Sequence, residues 1–166
     1  MAVSLYDLSV TNYLQTLGGV EGFLAKGAEH LKGEANAMVE QRLIGDMLPF
    51  KFQVWSVVHH STGAIKGMKA GLFTPPSPIP DGIDYAGLQK AVSDAKAELE
   101  KVAAAEVNAL EGKDMIFQVR DMKMPFTTTD FVLSFSLPNF YFHATTACDM
   151  LRQKGVPIGK REDRKS

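Results

Sequence analysis

The stretch of residues 47–68 is apolar on nearly every side of a helix, and it constrains the fold more than any other part of the chain. Its large apolar side chains, spread around the helical circumference, are Phe50, Phe52, Val54, Trp55, Val57, Val58 and Ile65. A helix that is hydrophobic all round is buried on most sides by neighbouring elements. We therefore expect a central helix from Asp46, as its N-cap, through Pro49 in the first turn to about Ala70.

Two other segments repeat apolar residues three, four and seven positions apart, which is the spacing of one helix face. The first predicts a long helix over residues 4–31, with Ser4 at its N-cap, and a short helix over 34–43 follows it. Gly18-Gly19 and Gly22 lie inside the long helix, where each glycine costs about 1 kcal/mol against alanine, so we expect a helix or a ligand close to that backbone. The second segment predicts a third helix over residues 85–102.

The remaining segments connect these helices and complete the fold. Residues 74–82 are rich in proline and predict a semi-rigid crossover without regular helix. Residues 115–126 alternate in polarity around a turn at Arg120-Asp121, which is typical of a small β-hairpin. Residues 127–155 predict the last helical stretch, which begins with a capping box and is kinked or restarted at Pro138. Four long amphipathic helices with these connections predict an all-α four-helix bundle.

Composition limits the classes of protein to which the chain can belong. With 45% apolar residues, the 166-residue chain can fill the core of one domain, which we expect over residues 1–159 before a charged tail over 160–166. The formal net charge of -1 provides no field to attract nucleic acid. The single cysteine, Cys148, predicts a reducing compartment, and no stretch approaches the roughly 20 apolar residues that cross a bilayer. We expect a cytoplasmic protein that binds neither nucleic acid nor membrane.

Two narrow polar stripes interrupt the apolar helices. The stripe on the second helix comprises Gln53, Ser56, His60 and Gly63, and that on the last helix comprises Asn139, His143 and Thr146. A buried polar group without a hydrogen bond costs roughly 1–3 kcal/mol, so each stripe must face either solvent or a cavity. We expect the stripes to meet in the bundle core, where four-helix proteins build their ligand sites. The alternative is that each histidine only satisfies a neighbouring group in the core.

Paired histidines in such a site suit acid–base chemistry, because imidazole titrates near neutral pH. The sequence predicts His60 and His143 as catalytic groups, and Tyr141 as the phenol that polarises a carbonyl. The predicted ligand-binding residues are Gln53, Ser56, Trp55, Asn139, Thr146 and Tyr13, the last also being an alternative phenol. Aromatic walls with a few polar anchors are typical of small-molecule pockets. This inventory favours isomerisation, cyclisation or dehydration of a modest, partly aromatic molecule.

Motifs along almost the whole chain resemble those of one known family. They are Ser4-Leu-Tyr-Asp-Leu-Ser-Val10, Leu14-Gln-Thr-Leu17, Arg42-Leu through Asp46-Met47, and the helix from Leu137 to Gly155 with Val156-Pro-Ile-Gly-Lys-Arg161 after it. On these residues the chain resembles the DUF1993 family, which is allied to the DinB/YfiT-like four-helix bundles. The resemblance implies a DinB/YfiT-like bundle with the proline-rich crossover and the small β-hairpin before the last helix.

The resemblance also raises the question of a metal. DinB-like proteins typically bind a divalent metal through three histidines, one on the second helix and two a turn apart on the last. The match places His60 and His143 in that set, whereas the third position falls on Asn139 or Ala147. An amide is a weak ligand and a methyl group is none. We therefore expect no cofactor, with a divalent metal as an alternative whose ligand set is incomplete.

Three functions stay open from the sequence. The first is a small-molecule-binding bundle, with a metabolic enzyme of isomerase, cyclase or lyase type as its natural form. The second, which the resemblance implies, is a metal-dependent transferase or isomerase. The third is a homodimeric interaction protein without chemistry, because the apolar run Phe131, Val132, Leu133 and Phe135 exceeds what one bundle seam requires. A homodimer with a ligand pocket in each subunit would combine the first and third functions.

Overall fold

A computed structural model describes residues 3–160, which form a mostly helical fold with a small sheet at one end. The helices in chain order are α1 (Asn12–Leu31), α2 (Ala35–Met38), α3 (Phe50–Val58), α4 (Ala64–Ala70), α5 (Tyr85–Leu99), α6 (Ala104–Asn108), α7 (Thr128–Asp130) and α8 (Leu137–Gln153). A short 3-10 turn, Lys32–Glu34, follows α1. Wider π-helical turns lie at Asp7–Thr11, His59–Gly63 and Phe131–Ser136.

These elements join into four long rods, as the apolar periodicity predicts. The rods span residues 7–31, 50–70, 85–99 and 128–153 of the described chain. The second rod packs through α3 against both α5 and α8, and the first rod packs through α1 against the same two helices. The all-round apolar character of residues 47–68 is explained by this arrangement, since Phe50, Val54 and Val57 are fully buried. The four-helix bundle expected from the sequence is confirmed.

Local start signals set most rod boundaries. Ser4 Oγ accepts a hydrogen bond from the backbone N–H of Asp7, and Thr127 Oγ1 accepts one from the N–H of Asp130. The expected cap at Asp46 is wrong, because α3 begins only at Phe50, with Pro49 in an extended conformation at the N-cap. Proline is compatible with that position since a helix leaves its first N–H groups unpaired anyway. Residues 47–49, which were expected to be helical, belong instead to the irregular segment before α3.

Three other details differ from the expectations. The helix expected over 34–43 shrinks to α2, because residues 39 and 41 instead accept hydrogen bonds from the start of α3. The third rod ends at Leu99 rather than at residue 102. No atom would lie within 4 Å of a methyl group at Gly22, whereas one at Gly27 would meet the Tyr85 hydroxyl at 2.3 Å. Gly22 therefore has no close neighbour, whereas Gly27, which the sequence did not single out, does.

The predicted hairpin is confirmed and belongs to a sheet of three strands in the described part of the chain. β2 (Asp114–Val119) and β3 (Met122–Thr127) are antiparallel, and the turn between them holds Arg120 at a φ of 52°. β1 (Leu72–Phe73) pairs parallel with β2 and was not expected from the sequence. It follows the left-handed Gly71, which ends α4 and redirects the chain onto the hairpin.

The last helical stretch continues past Pro138 without a break. Pro138 lacks the N–H that would donate a hydrogen bond to the preceding turn. That preceding turn, Phe131–Ser136, is π-helical and does not follow the regular α-helical hydrogen-bond pattern. Of the expected charged tail, only Lys160 is described, and residues 161–166 lie outside the described range. No helix within residues 3–160 combines the length and apolarity that a bilayer span requires.

Candidate functional site

Two of the π-helical turns are hydrogen-bonded to each other across the bundle. Ser136 Oγ, in the turn of the fourth rod, donates to the backbone carbonyl of His60, in the turn of the second rod, at 2.8 Å. The Tyr13 hydroxyl from α1 lies 2.7 Å from the same Ser136 Oγ. Because the Ser136 hydrogen is directed at His60, Tyr13 donates this second bond. The chain of three groups joins three rods and fixes the position of His60; such π turns occur frequently at functional sites.

The polar stripes of the second and fourth rods meet beside this turn. The imidazole rings of His60 and His143 have centroids 6.0 Å apart and planes inclined by only 19°. Gln53 lies two helical turns before His60 on the second rod, and its Oε1 is 2.8 Å from His143 Nδ1. Its Nε2 donates to the Leu48 carbonyl at 2.9 Å, so the amide oxygen is the atom that faces the ring. His143 Nδ1 therefore carries the proton, and its Nε2 carries the lone pair.

His60 has an unsatisfied nitrogen. The residue is 8% exposed, and Nδ1 is the one buried side-chain nitrogen or oxygen without a hydrogen-bond partner among residues 3–160. Native structures satisfy most buried polar atoms, so an exception needs a reason. Burial lowers the pKa of His60 to about 3, with the neighbouring His59 and His143 adding to the effect. Burial likewise lowers the pKa of His143 to about 4. Both rings are thus neutral at physiological pH and present lone pairs.

Aromatic side chains form the walls around the pair. Phe135 and Phe73 lie 5.9 and 5.5 Å from the His60 ring, by centroid distance. Phe52 and Phe142 lie 5.9 and 5.2 Å from the His143 ring, each edge-on to it. Phe135, Phe52 and His143 are half-buried and Phe142 is exposed. The pair therefore lies under a cluster of aromatic side chains that is partly exposed at the surface, and it does not line any of the cavities described below.

The other stripe residues lie on the same two rods as the pair. Ser56 is a buried residue of the second rod. Asn139 Nδ2 donates to the Phe135 carbonyl at 2.7 Å, and Thr146 Oγ1 donates to the Phe142 carbonyl at 2.7 Å. Both side chains thus bond the backbone of their own rod one turn back. These polar groups are engaged with the backbone at Phe135 and Phe142. Among the stripe residues, the histidine pair and Gln53 are therefore the groups best placed to contact a ligand.

Three predicted site residues lie apart from the pair. Tyr13 is fully buried, burial raises the pKa of its phenol, and its hydroxyl is engaged with Ser136. Trp55 donates from Nε1 to the Ser77 carbonyl of the proline-rich crossover and lines a separate cavity of about 260 Å³. Tyr141 points into a cavity of about 310 Å³ that it shares with Thr16. The structure therefore brings together His60, His143 and Gln53, and places these three side chains elsewhere.

The residues present do not fit a three-ligand metal centre. No group of three His, Cys, Asp or Glu side chains within residues 3–160 is arranged to hold a metal ion. Asn139 presents its amide nitrogen to the backbone, and Ala147 is a buried core residue. His59 Nε2 donates to the Thr74 carbonyl oxygen, 2.8 Å away, and its ring stacks on Phe73. The two remaining imidazoles fall short of the three protein ligands that zinc sites use.

Sequence reasoning missed Phe73 and Ser136 as parts of the site. Phe73 lies on β1, a two-residue strand that is too short to leave a periodic signal. Ser136 sits in an apolar run where only its contact with the second rod reveals its role. That same run was expected to form a dimer surface, but Phe131 and Val132 are fully buried. Most of its apolar area therefore serves the core, and Leu133, at 49% exposed, is the exception.

Comparison with known proteins agrees with this fold. Over residues 5–162 the sequence matches the profile of a family described as "Domain of unknown function (DUF1993)". The structure is similar to the crystal structure, at 1.83 Å resolution, of a DinB family member protein from Shewanella denitrificans. The similarity has a TM-score of 0.78 and 22% sequence identity, and covers 98% of this chain and 92% of that chain. At this identity it establishes the fold alone. Curated proteins give no match.

Proposed function

The chain belongs to the DUF1993 family and has the fold of a DinB family protein, and from this premise we propose that it binds a small organic molecule at His60 and His143. One observation carries the proposal: a buried imidazole nitrogen of His60 lacks a partner directly beside a second neutral imidazole. In the tautomer with the His60 proton on Nε2, Nδ1 is an acceptor, and a ligand that donates a hydrogen bond to it would remove the cost of the unsatisfied atom, roughly 1–3 kcal/mol. The site selects for such a donor.

The pair acts as a hydrogen-bond acceptor in this proposal. Gln53 holds the His143 proton on Nδ1, so Nε2 is free to accept from a ligand hydroxyl or N–H group. An N–H···O or O–H···N contact spans about 2.7 to 3.0 Å. A hydroxyl, with one hydrogen, donates to one of the two imidazoles, whereas an amino group, with two, can supply a donor to each. The aromatic walls favour a ligand whose donor group is attached to a flat apolar ring.

An enzymatic role places a further demand on the pair. General bases work best with a pKa near the operating pH, whereas the pKa values here are about 3 and 4. Proton abstraction would require a ligand that raises one of them, as a nearby negative charge does. Isomerisation, cyclisation or elimination of an anionic substrate meets that requirement. A neutral ligand would be bound without proton transfer.

Phenol and toluene, which differ in one hydroxyl, distinguish this proposal from non-specific apolar binding. We expect phenol, but not toluene, to shift the imidazole nitrogen resonances of His60 and His143 saturably in NMR spectra. His143→Phe keeps a ring but removes the acceptor and should abolish the shift at His60. His30→Ala, at an exposed position, is the matched control and should leave phenol binding intact. Equal shifts with toluene, or none with phenol, would contradict the proposal.

A Gln53→Leu variant tests the role of the amide. The substitution leaves His143 Nδ1 without its acceptor, so the ring should populate both tautomers. The fraction of rings with the lone pair on Nε2, where the ligand donates, should then fall. We expect phenol affinity to fall roughly tenfold, which corresponds to the loss of about one charge-neutral hydrogen bond. The ring tautomer is read from the imidazole nitrogen shifts of the variant. An unchanged tautomer with unchanged affinity would exclude Gln53 from the site.

A second candidate function is association with another copy of the chain. The observation that favours it is exposed apolar area on the fourth rod, where Leu133 is 49% and Phe142 is 54% exposed. Exposed apolar side chains mark contact surfaces where they form one patch. Light scattering of the wild type should then give twice the chain mass of 18.2 kDa, and Phe142→Ser should lower it. A wild-type mass of one chain at high concentration would refute it.

A further inference from the structure

The hairpin carries an apolar face that leads away from the histidine pair. In the register of β2 with β3, Met115, Phe117 and Val119 share one face with Phe126, Met124 and Met122. We call this the inner face, because Met115 at its root is 2% exposed and belongs to the core. Toward the turn it emerges from the core, since Met124 is 37% and Met122 is 51% exposed. Apolar side chains thus run from the core into solvent.

The inner face is continuous with the aromatic wall of the histidine site. The rings of Phe117 and Phe135 have centroids 4.6 Å apart, and Phe135 lies 5.9 Å from His60. Met124 is the direct cross-strand partner of Phe117. The path from the unsatisfied imidazole to the exposed methionine therefore passes only over apolar ring faces. Phe117 and Phe135 are both half-buried, so part of each side chain on this path is exposed.

The shape of this surface specifies a ligand. The histidine pair lies at one end, two phenylalanine rings inclined by 40° to each other form an apolar floor, and an unbranched methionine side chain lies at the far end. Methionine adapts its shape and packs favourably against aromatic rings, so it suits a variable apolar tail. Phe135, Phe117 and Met124 offer no hydrogen-bonding group to a second polar group of the ligand.

We propose that the ligand is an elongated molecule, with a hydrogen-bond donor at the His60–His143 pair and a flat apolar tail lying over Phe135 onto the inner face of the hairpin against Met124. This inference rests on the proposed function of the pair and adds the chemical class of the ligand. Aryl alcohols, aryl amines and related compounds with a second ring or chain opposite the donor group belong to this class.

Phenol and 4-phenylphenol test the inference, because the second ring is opposite the hydroxyl. We expect 4-phenylphenol to bind wild-type protein at least tenfold more tightly than phenol. Met124→Ser should reduce that ratio roughly fivefold, as expected for losing about half of a buried methionine side chain. Ile116→Ser is the matched control, because Ile116 is also 37% exposed but lies on the opposite face of the same hairpin. It should leave the ratio unchanged.

The outcomes separate the inference from the function on which it rests. If phenol fails to shift the imidazole resonances, the proposed function is wrong and the inference falls with it. If phenol binds but the ratio is the same in Met124→Ser and wild type, the function stands and the tail site is refuted. A fall in particle mass for Met124→Ser with no change in ratio would mean that the inner face pairs two copies, which also overturns the inference. Met122→Ser, at the exposed tip, repeats the test should Met124→Ser unfold.

Discussion

Lowering the pH from 7.5 to 5 should destabilise the protein steeply, because two buried imidazoles stay neutral in the folded state. The pKa values of His60 and His143 are about 3 and 4, against an ordinary value of 6.5. Above pH 6.5 the folded and unfolded states are both neutral at these groups, and their contribution to stability is complete. As the pH falls below 6.5 the unfolded state gains protons that the folded state excludes, so stability is lost down to the folded-state pKa values.

The size of the effect follows from the same shifts. One pKa unit corresponds to about 1.36 kcal/mol, so the complete pH-dependent contribution is on the order of 5 kcal/mol for His60 and 3 kcal/mol for His143. Between pH 6.5 and 5 each group should lose about 2 kcal/mol. His59 has its pKa lowered by burial and adds to the loss. A loss of about 4 kcal/mol is a large part of the 5–15 kcal/mol that stabilises typical domains.

Urea unfolding at pH 7.5 and pH 5 measures this directly in wild type and His60→Ala. The variant should be less stable at pH 7.5, but its further loss at pH 5 should be about 2 kcal/mol smaller than that of wild type. His30→Ala controls for removing one imidazole from the chain at an exposed position. The comparison of two pH values cancels the packing cost of each substitution. Equal pH-dependent losses in His60→Ala and wild type would refute the claim that His60 is held neutral by burial.

Three packing predictions can be measured by urea unfolding at neutral pH. Tyr13→Phe removes the hydrogen bond to Ser136 and should cost about 1 kcal/mol; no loss would mean that the bond does not anchor the π turn. Gly27→Ala should cost about 1–3 kcal/mol despite better helix propensity, because the new methyl group meets the Tyr85 hydroxyl at 2.3 Å, and the cost should shrink in a Tyr85→Phe background. Thr127→Ala should cost about 1 kcal/mol by removing the cap of the fourth rod, whereas Thr127→Ser should restore most of it.

Local patterns predicted the elements of this protein well. Helix periodicity, the Ser4 and Thr127 caps and the alternation around Arg120 each depend on residues within one or two turns, and the structure confirms the elements they predict. The miss at Asp46 has a local cause as well. Pro49, only three residues further on, is itself compatible with the N-cap position. Asp46, whose residue type is the more familiar N-cap, therefore does not cap α3.

Which side chains face each other across the bundle was less predictable. Helix spacing put Gln53 and His60 on one face of the second rod, and the structure has both beside His143. The sequence prediction also included Tyr141, although Tyr141 and His143 lie two residues apart and therefore point about 200° apart on a helix. Which of the two faces the second rod depends on the rotation of α8, and that rotation is set by packing against its neighbours.

The sequence by itself determined that four amphipathic rods and a hairpin would form a bundle, and that two polar stripes would have to be satisfied inside or beside it. Only the tertiary structure decided that the stripes meet, because the bond between Gln53 and His143 joins residues 90 positions apart. It also left His60 Nδ1 unpaired and set Phe135 between the imidazole and the hairpin. These contacts depend on π turns, helix rotations and a two-residue strand, none of which has a periodic signature, so the site is a property of packing rather than of local pattern.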